Sequence, residues 1–316
     1  MKTQVVAGID IGGTNTEIAL VDREGKVLFD VNLSTKAHST PESWVEATVE
    51  ILKDGLRKTG ANLVATGIGA PSANYFSGCI EFAPNMPWKG KIPLAEMIAN
   101  ETFQPCRITN DANAAALGEQ LFGAAKWLKD FVVVTLGTGL GSGFVVNDQV
   151  MYGHDGFAGE LGHIIVEQNG RLCGCTRKGC LETYVSATGI VITAKEFIDA
   201  AEKWSILKDI PAESLESRHI AEAAGKGDVL AIKILQATAE KLGFALANMV
   251  AITSPSHIFL YGGLAKAGKF ILDPTRKYFE HYLLRNYAGK VKIELSGLPD
   301  HAAVLGAAAL AWKELS

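Results

Sequence analysis

At 316 residues the chain is long enough for two packed cores. With 48% hydrophobic against 20% charged residues, it has the material to fill them rather than stay disordered. A net charge of -4 with no basic block argues against nucleic acid as a main partner, and no apolar run reaches the roughly 20 residues of a membrane-spanning helix.

The opening MKTQVVAGID lacks the apolar core of a signal peptide, so the expected compartment is the cytoplasm. The cysteines fit a reducing interior: Cys79 and Cys106 read as ordinary strand residues, the other three as metal ligands. Residues 5–10 form a short apolar strand that runs through Ile11-Gly12-Gly13-Thr14-Asn15 into a second strand, 16–22. Two glycines followed by small hydroxyl and amide side chains let backbone N–H groups face an anion, and Asp10 at the strand end is placed to orient a magnesium ion or its waters. A ligand-free hairpin is the alternative. Residues 26–33 continue the sheet. Thr40 and Pro41 supply the cap and first position of a helix that runs to about Gly60. A buried strand at 63–68 ends in Gly69-Ala70-Pro71-Ser72, a strand-end loop of the kind that carries ligands. A hairpin around Ser77-Gly78, a helix at 93–99 and a strand at 106–109 lead to Asn110-Asp111 and a helix over 112–122. Asp111 reads either as the cap of that helix or as a carboxylate that takes a proton from a substrate hydroxyl.

Residues 132–148 repeat the opening unit, with Gly137-Thr138-Gly139-Leu140-Gly141 as the turn. An offset of 126 residues lays Gly13 on Gly139 and Asp22 on Asp148. Two such units suggest related domains that share one polyphosphate, held between hairpins because the chain has no P-loop and no dinucleotide fingerprint. Next comes Cys173-x-Cys175-x4-Cys180, with His163 ten residues before its first cysteine. Three thiolates and one imidazole make a closed structural zinc shell; a loop of reduced cysteines is the bland alternative. Glu160 and Glu182 flank the shell. They read either as rigidly held acceptors for sugar hydroxyls or as solvated surface groups. Helices follow at 187–203, 217–225 and 228–252. A strand at 258–261 is closed by Gly262-Gly263, where backbone can approach a purine ring. A helix at 269–285, a strand at 291–295 and an alanine-rich helix at 302–315 complete the chain.

Taken together, Asp10-x-Gly12-Gly13-Thr14, Asn110-Asp111, Gly137-Thr138-Gly139-x-Gly141, Glu160-x-Gly162-His163, the cysteine motif with Glu182, and Gly262-Gly263 make the chain resemble, over essentially its whole length, the ROK sugar kinases of the actin-like ATPase superfamily. The resemblance implies an α/β fold of two ribonuclease H-like domains with a cleft between them, closing over ATP and sugar. The expected division is residues 1–118 with 301–316 as a small N-terminal domain and 119–300 as a large domain carrying the zinc segment. It implies Asp111 as catalytic base. Asn110, Glu160, His163, Glu182 and Asn85 become sugar contacts, with Ser72 in a loop near the sugar, and His163 touches zinc with one nitrogen and sugar with the other. Asp10, Gly12, Gly13, Thr14, Asn15, Gly137, Thr138, Gly139, Gly262 and Gly263 become the MgATP contacts.

Two departures touch substrate choice: Pro71-Ser72 stands where the family usually has Pro-Gly, and Tyr75 where it often has aspartate. The expected reaction is phosphoryl transfer from ATP to the 6-hydroxyl of a hexose, glucose first, with N-acetylmannosamine, N-acetylglucosamine and fructose open. The expected assembly is a homodimer or homotetramer. Sugar-sensing repressors of the same family carry a winged helix-turn-helix before the first glycine turn; Asp10 lies too near the start of this chain to leave room for one. A protein-interaction ATPase of the actin-like superfamily is a further alternative, which would leave the zinc segment, Glu160 and Glu182 without a purpose.

Overall fold

In the computed structural model, which describes residues 2–83, 86–298 and 301–315, the chain opens with antiparallel strands β1 (Gln4–Ile11), β2 (Asn15–Val21) and β3 (Val27–Ser34). There follow α1 (Pro41–Thr59), β4 (Asn62–Gly69), the short strands β5 (Ala73–Asn74), β6 (Cys79–Glu81) and β7 (Lys91–Ile92), α2 (Leu94–Thr102), β8 (Cys106–Thr109) and α3 (Asp111–Leu121). The second half holds β9 (Phe131–Leu136), β10 (Leu140–Val146), β11 (Gln149–Val150), the one-turn α4 (Glu182–Val185), α5 (Ala187–Ala200), α6 (Ser217–Gly225), α7 (Val229–Thr253), β12 (His257–Tyr261), α8 (Lys269–Tyr282), β13 (Lys292–Leu295) and α9 (Ala302–Glu314). Local chemistry sets the ends. Thr40 Oγ1 accepts from Ser43 N–H at 3.3 Å to start α1, and Gly60 closes it in the left-handed region. Asp228 caps α7 rather than joining it. α8 contains Pro274 and stops at Tyr282, short of the expected 285; residues 285–287 form a separate 3-10 turn.

Two α/β units result. One comprises Met1–Leu128, Val150–Ala158 and Gly297–Ser316; the other comprises Lys129–Gln149 and Gly159–Ser296. The boundary thus lies beyond α3 rather than at 118/119. The reason is the fully buried Glu119, whose Oε1 accepts from Ala124 N–H at 2.8 Å and Gly297 N–H at 2.9 Å and holds both segments to the first unit. The excursion 150–158 is held by Asn74, which donates to the Asp155 carbonyl at 2.6 Å, and by Tyr75 stacked on Tyr152 at 4.2 Å.

The first unit has strand order β3-β2-β1-β4-β8 and the second β11-β10-β9-β12-β13. In each, a hairpin is followed by parallel strands, β1 with β4 and β8, β9 with β12 and β13. The ladders refine the 126-residue offset. Asp10 pairs with Gly69 at the end of β4, and Thr135 with Tyr261 at the end of β12, which gives 135 − 10 = 125. Across the hairpins Asp10 pairs with Glu17 and Thr135 with Gly141, which gives 141 − 17 = 124, so the second turn is one residue shorter. The alanine face of α9 lies flat on the first sheet; a Cβ at Gly67 would collide with the Ala307 carbonyl. Among the described residues, no helix is long and apolar enough to cross a membrane.

Candidate active site

In the second unit, residues 163–180 fold back on themselves. Val166 N–H donates to the Gly179 carbonyl, Leu181 N–H to Ile164 and Cys173 N–H to Arg177, which draws the three cysteines and His163 together. Cys175 Sγ and Cys180 Sγ lie 3.6 Å apart, Cys173 Sγ and His163 Nδ1 3.7 Å, and all four ligand atoms are within 4.8 Å of one another. A tetrahedral zinc with bonds of about 2.3 Å has ligand edges near 3.8 Å, so this donor set fits zinc. Of the three thiols only Cys175 is shifted toward the thiolate, while Cys173 and Cys180 are raised. Burial raises Cys175, but hydrogen bonds from Arg177 and the other two cysteines outweigh it and bring the group to about 6; burial pushes the Cys173 thiol up to about 12.

The imidazole of His163 turns Nδ1 toward Cys173 and Nε2 toward Glu160, whose Oε2 is 3.9 Å away. Glu160 and His163 sit on a turn fastened to β10. Ser142 Oγ donates to the Gly159 carbonyl and accepts from Leu161 N–H, and a Cβ at Gly162 would collide with the Leu140 carbonyl. Glu182, half-buried at the start of α4, accepts from Leu140 N–H through Oε2 at 3.0 Å and brings Oε1 to 3.7 Å from Cys173 Sγ. Its carboxylate fills the space where a side chain on Gly139 would stand. The second glycine turn closes with Gly137 N–H on the Gly139 carbonyl at 3.0 Å; Thr138 follows Gly137, and its carbonyl accepts from Thr188 Oγ1. Gly262 packs with positive φ on the Leu136 backbone, while the space beside Gly263 is open.

In the first unit, Gly12 N–H donates to the Asn15 carbonyl at 2.9 Å and Thr14 accepts from Thr35 N–H, so Gly13 lies in a turn held on both sides. Trp44 Nε1 anchors the start of β2 at Thr16 Oγ1, 3.1 Å away. Asp10 and Asp111 flank Gly69: a Cβ there would lie 3.5 Å from Asp10 Oδ1 and 3.8 Å from Asp111 Cα. Burial first, then the charges of Asp111 and Glu17, raise Asp10 to about 7. Asp111 is reachable by solvent, yet protein crowds most of the volume around it; lost hydration raises its carboxyl against donation from the Ala112 and Asp111 N–H groups. The cap of α3 is Asn110, not Asp111. Asn110 has extended backbone and its Oδ1 accepts from Ala112 N–H at 2.8 Å, while Asp111 is the first helical residue. Ser72 has φ 53°, a left-handed conformation natural to glycine. Asn85 lies outside the described residues. Tyr75 is spent on Tyr152 and Glu314. A cavity of about 480 Å³ lined by Tyr75, Ala95, Cys106 and Arg107 includes none of the residues expected to bind sugar, nucleotide or metal.

Sequence reasoning missed three supports. Asn74 carries only a turn signal, its Oδ1 accepting from Phe76 and Ser77 N–H. Ser142 and Thr188 carry none, because their partners are backbone carbonyls distant in sequence.

The model of the ROK family matches residues 6–314. A glucokinase of Streptomyces coelicolor is 36% identical over 310 residues, 96% of each chain. A ROK family glucokinase from Streptomyces griseus, solved in complex with glucose and AMPPNP, superposes with a TM-score of 0.82 at 34% identity, covering 98% of this chain and 99% of that one. A xylose repressor of Caldicellulosiruptor bescii is 27% identical over 314 residues, 98% of this chain and 78% of its own.

Proposed function

The chain belongs to the ROK family, and on that premise we propose that it is an ATP-dependent glucose kinase transferring the γ-phosphoryl group to the 6-hydroxyl. The observation that carries the reading is the end-to-end similarity to glucokinases at 36% identity, above the 27% of the repressor relative.

The roles follow from the chemistry. The Asp111 carboxylate orients the 6-hydroxyl and takes its proton as the bond to phosphorus forms. Asn110, Glu160, Glu182 and His163, with Ser72 and Asn85, receive the remaining hydroxyls. The His163 geometry supports this, since a ring fixed by zinc at Nδ1 leaves Nε2 to point at Glu160 and substrate. Gly12, Gly13, Thr14 and Asn15 with Gly137, Thr138 and Gly139 supply backbone donors to the phosphates, and Gly262-Gly263 border the purine. Two crowded carboxylates with an elevated Asp10 make a natural seat for a cation beside Asp10. Magnesium bound there would neutralise the phosphate oxygens; zinc would hold the knuckle and take no chemical part. Homodimeric or homotetrameric assembly and a cytoplasmic location belong to the same reading.

The test is ADP release over a panel of hexoses with MgATP. Glucose should show the highest kcat/KM. Preference for fructose, N-acetylmannosamine or N-acetylglucosamine would overturn the sugar assignment, and no turnover by zinc-replete protein with any sugar would overturn the kinase.

A further inference from the structure

The zinc knuckle does not end at its last ligand. From Cys180 the chain runs directly into a segment, 182–188, that holds the second glycine turn at three points. Glu182 Oε2 accepts from Leu140 N–H at 3.0 Å, Ala187 N–H donates to the Gly137 carbonyl at 2.8 Å, and Thr188 Oγ1 donates to the Thr138 carbonyl at 2.8 Å. The segment is itself braced. Ser186 is fully buried, with Oγ donating to the Glu182 carbonyl and accepting from Gly189 N–H. Arg171, from the knuckle, donates to the Thr183 and Gly189 carbonyls at 2.7 and 3.1 Å. Within itself the turn has the single bond from Gly137 N–H to the Gly139 carbonyl. Nothing lies within 4 Å of where a Cβ on Gly137 would be, and Gly139 lacks a side chain because the Glu182 carboxylate occupies that volume.

We propose that segment 182–188 is a clamp through which the knuckle sets the conformation of the glycine turn 137–140. On this proposal Glu182 and Thr188 act as positioning residues for nucleotide, independently of any contact Glu182 makes with sugar. It rests on the reading of that turn as a phosphate cradle. Three backbone groups of one short turn are fixed by one segment. Releasing a fixing point lets the turn sample other conformations, and the cost of ordering it again falls on the nucleotide.

The experiment measures MgAMPPNP binding by calorimetry with no sugar present, on zinc-replete protein, for the wild-type chain and for Glu182→Ala, Glu182→Gln and Thr188→Val. Thr188 is exposed, so its substitution leaves no cavity. The Kd should rise about tenfold in Glu182→Ala, the scale of one lost hydrogen bond to a charged group. It should rise severalfold in Thr188→Val and stay near wild type in Glu182→Gln, whose amide oxygen still accepts from Leu140. Hydrogen exchange of a peptide covering 137–141 should speed up in Glu182→Ala while zinc content stays at one per chain. Unchanged nucleotide affinity and unchanged exchange in both Glu182→Ala and Thr188→Val would overturn the clamp. Equal losses in Glu182→Gln and Glu182→Ala would also overturn it, since a positioning acceptor must be rescued by the amide. Wild-type protein that binds no MgAMPPNP would instead refute the phosphate-cradle reading beneath it.

Discussion

Replacing Asp111 by asparagine separates a catalytic base from a helix-terminal residue, and the structure sets both expected magnitudes. The cap of α3 survives, because Asn110 Oδ1 makes the capping bond to Ala112 N–H at 2.8 Å and asparagine keeps an oxygen where Asp111 Oδ1 now reaches the same group. The helix loses a negative charge in its first turn, a cost of about 0.3–1 kcal/mol. Asp10 loses the repulsion of that same charge, which offsets part of the loss. Stability should therefore change by less than about 1 kcal/mol. In its proposed role Asp111 removes the hydroxyl proton, so without it kcat should fall by roughly 10²–10⁴-fold, or about 3–5 kcal/mol in the barrier. The assay is ADP release at saturating glucose and MgATP, paired with calorimetric glucose binding and a thermal melt. A variant that keeps more than about a tenth of wild-type kcat lies outside the general-base range and would refute the assignment.

Three further outcomes are expected. Elemental analysis should give one zinc per chain, lost in Cys175→Ser together with activity; full activity in zinc-free protein would count against a structural metal. Asp10 is raised in the folded chain, so the stability linked to its proton is fully present below the ordinary carboxylate value of 3.8 and is lost as pH climbs through about 7. Asp10→Asn should therefore gain in melting temperature over wild type on moving from pH 5 to pH 8, with magnesium absent, and parallel curves would contradict the shift. Ser72→Gly should raise stability by up to about 1 kcal/mol by relieving a left-handed serine, measured as a higher midpoint in urea; a lower midpoint would mean that Ser72 makes compensating contacts.

What the sequence revealed was what short-range patterns encode. Strand–glycine–strand units announced both sheets, and the cysteine spacing announced a cluster whose four ligand atoms lie within 4.8 Å of one another. Thr40, Pro41 and Gly60 marked α1 at both ends. Long-range fastening stayed hidden. The domain boundary depends on Glu119 reaching Gly297, 178 positions away, and no local pattern records that bond. The excursion 150–158 depends likewise on Asn74, 81 positions from its partner Asp155. The cap alternative for Asp111 arises because Asx residues favour that position; two stand side by side, and only the backbone angles decide that Asn110 takes the cap, which leaves the proton-acceptor reading of Asp111 untouched. The 126-residue offset aligned glycines rather than hydrogen-bond partners, since a turn can lose a residue without disturbing its ladder.

On the proposed reading one short stretch carries several tasks, and a zinc ion held there would explain how. The proposed sugar site needs carboxylates held within a fraction of an ångström, yet Glu160 and Glu182 lie 22 positions apart, one just before a 3-10 turn and one opening a one-turn helix, neither able to fix a side chain alone. Zinc cross-linking His163 to Cys173, Cys175 and Cys180 would close that span at its base, between the two glutamates. The fold then adds two anchors to β10: Ser142 on the Glu160 side and Leu140 N–H on the Glu182 side. Both anchors lie within three residues on the strand that leaves the second glycine turn. A displacement of β10 therefore moves both carboxylates and the turn together, which is why alterations to the knuckle should affect sugar and nucleotide at once rather than one alone.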